Sequence, residues 1–433
     1  MAAALRGFDF EARVLETYKG LELGKKYTSG KECYPCLVTL GDLLYFVQAE
    51  KKRLGRRFSP EKYLYFMPES NGPCRFGMYN KYQRIVLDGI PELNRLKITT
   101  LTTRDGYAFD GLIETERIPA VKKTLFLATL TGDILDRMLW RIRPYEKTPG
   151  AADAFIARAL GRMVSEFERC GANFDGNRIV TALEEIAREG VPLIDPVIPR
   201  KPLVGLIGEI FLRMHTGANQ NLIRLLEKHG AEVVCASFTE WVNFVSYMGL
   251  RRTKQRARFN LGHLSIKSLV HQAGQALDFG GSLTFQQLWQ KRTYARVQSH
   301  IDIADDHKIS KLERTLRAED LFSFDVDTEA PLSIAGILEC VATGYDGIVN
   351  VYPFTCMPGI ITSAVAKPLM VRRRIPYLDS PYDDSIQSGR EAAVRTFMYQ
   401  VHQHHRRQAA RTAATQKGGQ PCEPHTKWAH GGR

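Results

Sequence analysis

Three cysteines stand where the chain is predicted to pass into a helix, a position in which a thiol can bind a metal or react. Cys356 follows the apolar run at 347–352 and precedes a helical pattern that begins at Pro358. A helix N-terminus carries unpaired N–H groups and partial positive charge. It therefore lowers the pKa of a thiol and favours bound anions, including the sulfides of an iron-sulfur cluster. The alternative is a buried cysteine that packs as a small hydrophobe.

Cys33 and Cys74 share this setting. Cys33 follows a turn and leads into a helical stripe of leucines, and Cys74 follows a predicted strand at 62–67 and precedes a predicted helix. Since Cys74 and Cys356 both come after strands, a fold that joins those strand ends would create a three-thiolate site at the edge where open α/β sheets bind ligands. Cysteine thiolates are the usual ligands of iron-sulfur clusters.

Cys36 forms a Cys-x-x-Cys pair with Cys33, a spacing typical of zinc sites and of thiol-disulfide exchange. No second pair of this kind, and no closely spaced histidine pair, completes a zinc site. The other cysteines fall within helical or strand patterns, where we expect them to pack in the core, or in the C-terminal tail: Cys170, Cys235, Cys340 and Cys422.

Three charged residues are further candidates. Glu32, beside the first thiol, fits either a ligand or base or a helix-capping carboxylate. Glu209 follows a predicted strand at 203–208, where a polar group either faces a cleft or makes a structural hydrogen bond. Arg75, next to Cys74, fits a contact to a phosphate or the compensation of negative charge at the thiols.

The elements that position these residues predict an α/β fold with two Rossmann-like parallel-sheet domains and a cluster between them. We expect an N-terminal α/β domain at 1–130, a helical connector at 131–200, a C-terminal α/β domain with a helical insertion at 201–401, and a disordered basic tail at 402–433. Residues 10–27 read as one helix. The stretch 124–130 fits either a strand or the start of a helix.

Composition limits the function classes. The chain has 433 residues, 44% of them hydrophobic, and shows neither a long apolar run nor a secretory signal, so we expect a cytoplasmic protein with no membrane partner. The net charge of +13 suggests nucleic acid, but residues 402–433 supply +5 of it. The dense basic run at 251–258 lacks a nucleic-acid-binding motif, and we interpret it as a solvated helix face or a contact for an anionic ligand.

Four phrases carry a resemblance: Tyr27–Cys33, Ser70–Gly77, Val204–Ile210 and Asn350–Gly359. In this order they resemble the 2-hydroxyacyl-CoA dehydratase-type iron-sulfur proteins, and above all the C-terminal region of the long, fused acyl-CoA dehydratase activases. The similarity extends from about residue 15 to residue 400. It implies a 4Fe-4S cluster that Cys33, Cys74 and Cys356 hold between α/β domains, in a protein of anaerobic metabolism.

The resemblance also implies a chemistry. In the dehydratase branch an open iron meets the thioester carbonyl of a 2-hydroxyacyl-CoA, and one electron from an ATP-dependent activator makes a ketyl radical from which hydroxide leaves. Another branch builds a double-cubane cluster and reduces small molecules. The implied partners are an acyl-CoA substrate, the activator, and a second subunit in a homodimer or heterodimer.

Two departures from the resembled proteins leave the role open. This chain lacks the ATPase portion and has no phosphate-binding Gly-rich loop, so an activator would be a separate protein. Cys36 stands where the resembled proteins have an apolar residue. As a fourth ligand it would close the cluster, and the protein would then be a non-catalytic electron-transfer or scaffold subunit instead of a lyase or reductase component.

Overall fold

The computed structural model describes residues 1–70, 72–100, 113–114, 116–170, 174–261 and 266–417. In this part of the chain the strands are β1 (Leu64–Phe66), β2 (Lys97–Thr99), β3 (Leu203–Gly208), β4 (Glu232–Cys235), β5 (Gly347–Pro353) and β6 (Tyr377–Tyr382). The helices are α1 (Ala2–Arg6), α2 (Leu21–Tyr27), α3 (Tyr34–Leu54), α4 (Tyr79–Asp88), α5 (Ile118–Ile142), α6 (Ala151–Cys170), α7 (Gly176–Gly190), α8 (Ile210–Met214), α9 (Leu222–Lys228), α10 (Phe238–Leu261), α11 (Ile266–Gln298), α12 (Ile309–Ala318), α13 (Ala330–Ala342), α14 (Met357–Arg373) and α15 (Arg390–Lys417). Helices predominate and every described strand pair is parallel, so the predicted α/β class is confirmed.

The N-terminal unit is a small parallel layer. β1 pairs with β2, Leu64 opposite Lys97, and α4 lies in the connection between them. The start of α2 approaches α3 so closely that only glycine fits there: a Cβ atom added at Gly20 would lie 1.9 Å from the carbonyl oxygen of Gly41. Leucines of α3 and of the α4 region fill the core beneath. The strand predicted at 62–67 is therefore present but shorter.

The prediction of one helix over residues 10–27 is wrong in its first part, since the helix begins only at Leu21. Tyr18 has a φ of 71°, in the left-handed region that a right-handed helix cannot pass through. Its N–H donates to Oδ1 of Asp42 at 2.7 Å, which ties this segment to α3 instead.

A helical layer joins the two α/β units. α5, α6 and α7 pack with α1 and the end of α11 around one apolar core, to which α6 contributes Phe155, Met163 and Phe167. α5 begins at Ile118, so the helical region starts before residue 131. The stretch 124–130 lies inside this helix.

The C-terminal unit contains a four-stranded parallel sheet in the order β4-β3-β5-β6. The chain leaves β3 towards β4 on one side, and β5 and β6 lie on the other, so the connections diverge between β3 and β5. Ligands of open α/β sheets bind at such a switch point, outside the carboxyl ends of the strands. Glu209 directly follows β3 and Cys356 lies three residues after β5, so both stand at this edge.

Both faces of this sheet are covered, as expected for parallel strands. Val204 and Leu206 of β3 belong to a core formed with α9 and α15, whereas Ile207 and Ile348 belong to a second core formed with α12, α13 and α14. Every residue of β5 is buried. α14 packs against β5 and begins four residues after it, which positions the loop at the carboxyl end of the strand.

The predicted disordered tail from residue 402 is wrong for its first part, because α15 continues to Lys417. The segment itself is polar, but α15 packs on the sheet just before it, where Phe397 and Val401 are buried. His402 hydrogen-bonds the carbonyl oxygen of His229 at 2.9 Å, and His405 lies 2.9 Å from Oδ2 of Asp346. Residues 418–433, including Cys422, lie outside the described residues.

Two features of the structure concern what composition indicated about membranes and about the basic run at 251–258. Along the described chain, no helix is both long and apolar enough to cross a membrane. The start of the basic run at 251–258 is ion-paired: Arg251 contacts Glu313 and Asp325, and Arg252 contacts Asp327. These pairs reduce the positive charge that this face presents to a ligand.

Candidate functional site

The three candidate thiols all stand at helix starts, as the sequence predicts. Cys33 is the residue before α3, and Cys356 is the residue before α14. Cys74 precedes a short 3-10 turn, Arg75–Met78, that leads directly into α4. Backbone N–H groups from three different parts of the chain therefore lie beside these sulfurs.

The loops that present the thiols have constrained backbones. Cys33 has a φ of 92° and Thr355, just before Cys356, has a φ of 68°, both in the region that non-glycine residues rarely adopt. Gly72 has a φ of 90°, and a Cβ there would lie 2.3 Å from the carbonyl oxygen of Asp327. Such conformations persist only where the surroundings hold them, and they are common at functional sites.

Arg75, in the loop of Cys74, hydrogen-bonds to the loops of both other cysteines. Its guanidinium donates to the carbonyl oxygen of Lys31, two residues before Cys33, and to both the carbonyl oxygen and Oγ1 of Thr355. The side chain therefore ties the loop of Cys74 to the loops of Cys33 and Cys356. It also places a positive charge near the thiols, and this charge lowers the pKa of Cys33 against the larger effect of burial.

One cavity of about 860 Å³ brings the three thiols together. Cys33, Cys74 and Cys356 all line it, although they are separated by up to 323 positions in the chain. All three are free thiols. Over the described residues no three His, Cys, Asp or Glu side chains lie close enough to hold a single metal ion. A multinuclear cluster differs in this respect, because each thiolate binds a separate iron and the sulfurs stand further apart.

The thiol pKa values correct one expectation. Burial raises the pKa of Cys33 to about 11 and that of Cys74 to about 12, and it raises the pKa of Cys356 furthest of the three. Hydrogen bonds from the backbone at each helix start act in the opposite direction but are outweighed by desolvation. The helix starts therefore lower the thiol pKa values as predicted, but burial has the larger effect and the net shift of each thiol is upward.

Cys36 is placed differently from the other three. It is fully buried one turn into α3, in a small core with Met67 and Tyr79, and it does not line the cavity. Burial and the nearby sulfur of Cys33 raise its pKa to about 12. Cys36 therefore differs from the other three in not facing the cavity, although it lies in the same small core as Cys33.

Two carboxyl groups, one buried and one half-buried, also line the cavity: Glu329 and Glu209. Glu209 caps α8, where its carboxylate accepts from the N–H groups of Phe211 and Leu212 at 3.0 and 2.9 Å. Burial raises its pKa despite these bonds. Glu329, before α13, also lines the cavity, and burial together with the charge of Glu209 raises its pKa to about 7. Glu329 can therefore exchange a proton near neutral pH.

Glu32 lies outside this arrangement. Its carboxylate accepts from the N–H and Oγ of Ser29, both at 3.0 Å, and closes the turn before Cys33. Burial opposes these hydrogen bonds, yet together they hold the pKa of Glu32 below its usual value. Glu32 does not line the cavity, and its carboxylate closes the turn at Ser29 without capping α3, whose N-cap residue is Cys33.

Sequence reasoning missed Glu329 and Tyr79. Glu329 stands before the Ala330-Pro331 start of α13, and this acidic residue at a predicted helix start was an available signal. Tyr79 is 5% exposed, lines the cavity and hydrogen-bonds Cys33, but no motif marks it.

The comparisons with known proteins add no relative. No family model matches the chain, and neither a curated protein nor a solved structure is significantly similar to it.

Proposed function

We propose that this protein binds a 4Fe-4S cluster through Cys33, Cys74 and Cys356 and acts in low-potential reduction or radical dehydration of an acyl-CoA-type substrate. The observation that carries the proposal is the convergence of three thiols, each at a helix start, on one cavity. The donor set fits a cluster because it contains only sulfur ligands, and two of the three, Cys33 and Cys356, are buried. When bound, the cluster supplies one-electron chemistry at an iron that the substrate can reach.

The side chains around the thiols have matching roles. Arg75 holds two of the cysteine loops and compensates the negative charge of thiolates. Tyr79 supplies a hydroxyl beside Cys33 that can hydrogen-bond a thiolate and so adjust its basicity. Glu209 and Glu329 bring carboxyl groups to the same wall, where Glu329 can hold or release a proton next to a substrate.

The proposal includes the domain plan and the partners. The β1–α4–β2 layer would be a reduced counterpart of the four-stranded unit, so that two Rossmann-like domains enclose the cluster. Because we find no ATP-binding motif in the sequence, a separate ATP-dependent activator would deliver the electron. A second subunit, identical or different, would complete the assembly.

The test is anaerobic purification followed by iron and acid-labile sulfide assays and electron paramagnetic resonance of the reduced protein. We expect a coloured protein with a full 4Fe-4S complement and a signal from a reduced cluster. A colourless, iron-free preparation that also takes up no iron and sulfide on reconstitution would contradict the proposal.

A second candidate function is a closed-cluster electron-transfer subunit with Cys36 as fourth ligand. The observation that favours it is the position of Cys36 in the same small core as Cys33 and Tyr79. Cys36→Ala separates the two functions. We expect this variant to keep its cluster, because Cys36 does not line the cavity. Loss of the cluster in Cys36→Ala, as in variants of the other three cysteines, would favour the electron carrier.

A further inference from the structure

Cys36 has no role in a three-ligand cluster, although it lies only three residues after one of the ligands. Cys33 stands before α3, and Cys36 belongs to the first turn of that helix. The N–H of Cys36 donates to the carbonyl oxygen of Cys33 at 3.1 Å, and the N–H of Leu37 donates to the same oxygen at 3.3 Å. The chain therefore makes one tight turn between the two cysteines.

This turn gives the two cysteines a separation that a disulfide bridges. A turn closed by a hydrogen bond from residue i+3 to residue i holds the two Cα atoms within about 7 Å. Disulfides join Cα atoms that are about 4.4–6.8 Å apart. Both side chains pack in the same small core with Met67 and Tyr79, and both are free thiols. A Cys33–Cys36 disulfide therefore fits the backbone as it stands.

The two thiols differ in their access to small molecules. Cys33 is 9% exposed and lines the cavity, whereas Cys36 is 0% exposed and does not line it. A reagent in the cavity therefore meets Cys33, and Cys36 lies behind it in the core. A reacting thiol next to a second thiol that completes the disulfide is the arrangement of reversible redox cysteines.

The other two cavity thiols lack such a neighbour. No other cysteine lies within ten residues of Cys74 or of Cys356 in the sequence. Cys340, the nearest to Cys356 along the chain, is buried inside α13 and does not line the cavity. Of the three proposed ligands, Cys33 is thus the one with a second thiol one turn away.

We propose that Cys33 and Cys36 form a reversible disulfide when no cluster is bound, and that this disulfide protects Cys33 from irreversible oxidation by peroxides. The Cys33 thiolate attacks one peroxide oxygen, the O–O bond breaks, and the departing hydroxide takes up the proton that the thiol released. The Cys36 thiolate then attacks the sulfenic sulfur of Cys33, the S–S bond forms, and a second hydroxide leaves with the proton of Cys36. The two thiols lose two electrons, and hydrogen peroxide becomes two waters.

The consequence for the cluster rests on the proposed function, in which Cys33 is a ligand. Cys33 in a disulfide cannot bind iron, so the oxidised protein should accept no cluster until a dithiol reduces it. Without Cys36, the sulfenic acid of Cys33 would oxidise further to sulfinic and sulfonic acids, which dithiols do not reduce. Cys36 would therefore preserve the site for a new cluster.

The reaction should be slow at neutral pH and faster in alkali. Burial raises the pKa of Cys33 to about 11, and the thiolate is the reacting form. We therefore expect the rate of disulfide formation with hydrogen peroxide to rise about 10-fold per pH unit between pH 7 and pH 9.

Peptide mapping of the cluster-free protein after treatment with hydrogen peroxide tests the proposal. Trypsin leaves both cysteines in one peptide, residues 32–51. We expect this peptide to contain an internal disulfide that resists alkylation until dithiothreitol is added. Cys340→Ala, which removes a core thiol, should give the same result as the wild type. Absence of the disulfide, or a disulfide from Cys33 to Cys74 or Cys356 in its place, would overturn the inference.

Cys36→Ala measures the protection, and Cys36→Val, which keeps the core filled, serves as a second variant. After peroxide and then dithiothreitol, we expect the wild type to recover most of its Cys33 thiol and both variants to lose it to sulfinic and sulfonic acids. Equal recovery in all three would contradict the protective role. Anaerobic reconstitution separates this inference from the proposed function. A protein that binds a cluster but forms no disulfide contradicts only the inference, whereas one that forms the disulfide but takes up no iron when reduced contradicts the cluster.

Discussion

The cysteines that line the cavity and those in the cores both have raised pKa values and differ in their position in the fold. Burial raises the pKa of Cys235 and of Cys340 to about 12, as it does for Cys74 at the cavity. Cys235 ends strand β4 and Cys340 lies inside α13, and both pack among apolar side chains. Cys74 and Cys356 stand before helices and face a cavity. A raised thiol pKa therefore does not distinguish the two groups, whereas their place at a helix start beside the cavity does.

The largest expected effect separates the two groups directly. We expect Cys356→Ser to abolish iron binding while unfolding remains cooperative, because the cavity gives the new hydroxyl space and water. Cys235→Ser should retain iron but lose about 1–3 kcal/mol of unfolding free energy, because it buries a hydroxyl in an apolar core. Iron assays and urea unfolding of both variants give the comparison. If both variants lost iron equally, the distinction between the two groups would fail.

The second largest expected effect concerns the free-energy cost of a desolvated carboxylate, that of Asp136. Asp136 of α5 lies near Cys235, and burial, followed by the charge of Asp133, raises its pKa to about 7 from 3.8. The folded protein therefore keeps this proton to higher pH than the unfolded chain, so its unfolding free energy should fall as the pH rises from about 4 to about 7. Asp136→Asn cannot lose a proton.

We expect Asp136→Asn to exceed the wild type by on the order of 2–4 kcal/mol in unfolding free energy at pH 8, with the difference vanishing near pH 4. Urea unfolding between pH 4 and 8 measures it, and iron binding should not change because Asp136 does not line the cavity. A difference that does not depend on pH would show that Asp136 titrates normally.

The smallest effect concerns the loops that hold the cavity thiols. Arg75→Ala should cost about 1–2 kcal/mol of unfolding free energy and speed the loss of iron to a chelator, since the loops of Cys33 and Cys356 lose their connection. Arg84→Ala is the matched control. Arg84 also donates to backbone carbonyls, those of Asn94 and Leu96, but it joins no cysteine loop. Equal rates of iron loss in both variants would remove the special role of Arg75.

Much of the local structure could be predicted from sequence because it depends on short-range patterns. The apolar run before Cys356 and the pattern after Pro358 correspond to β5 and α14, and all three candidate thiols precede helices as expected. The continuation of α15 past residue 402 could not be read in this way. Its stability comes from the burial of Phe397 and Val401 on the sheet, a tertiary effect.

The cavity itself was beyond sequence reasoning. Phe126, Trp241 and Gln286 come from three helices far apart in the chain, and no periodicity indicates that they share a wall. The sign of the thiol pKa shifts was also hidden, since it depends on how far burial outweighs the helix N-terminus. The raised pKa of Glu329 was hidden too, because it arises from burial and then from the charge of Glu209, both of which depend on the fold.

The central claim is that Cys33, Cys74 and Cys356 hold one cofactor together. Its most direct test is the iron and sulfide content of the wild type and of the three single alanine variants, reconstituted anaerobically in parallel with Cys340→Ala. We predict a full 4Fe-4S complement in the wild type and in Cys340→Ala, and loss in each of the other three. Full iron content in any one of the Cys33, Cys74 or Cys356 variants would contradict the claim.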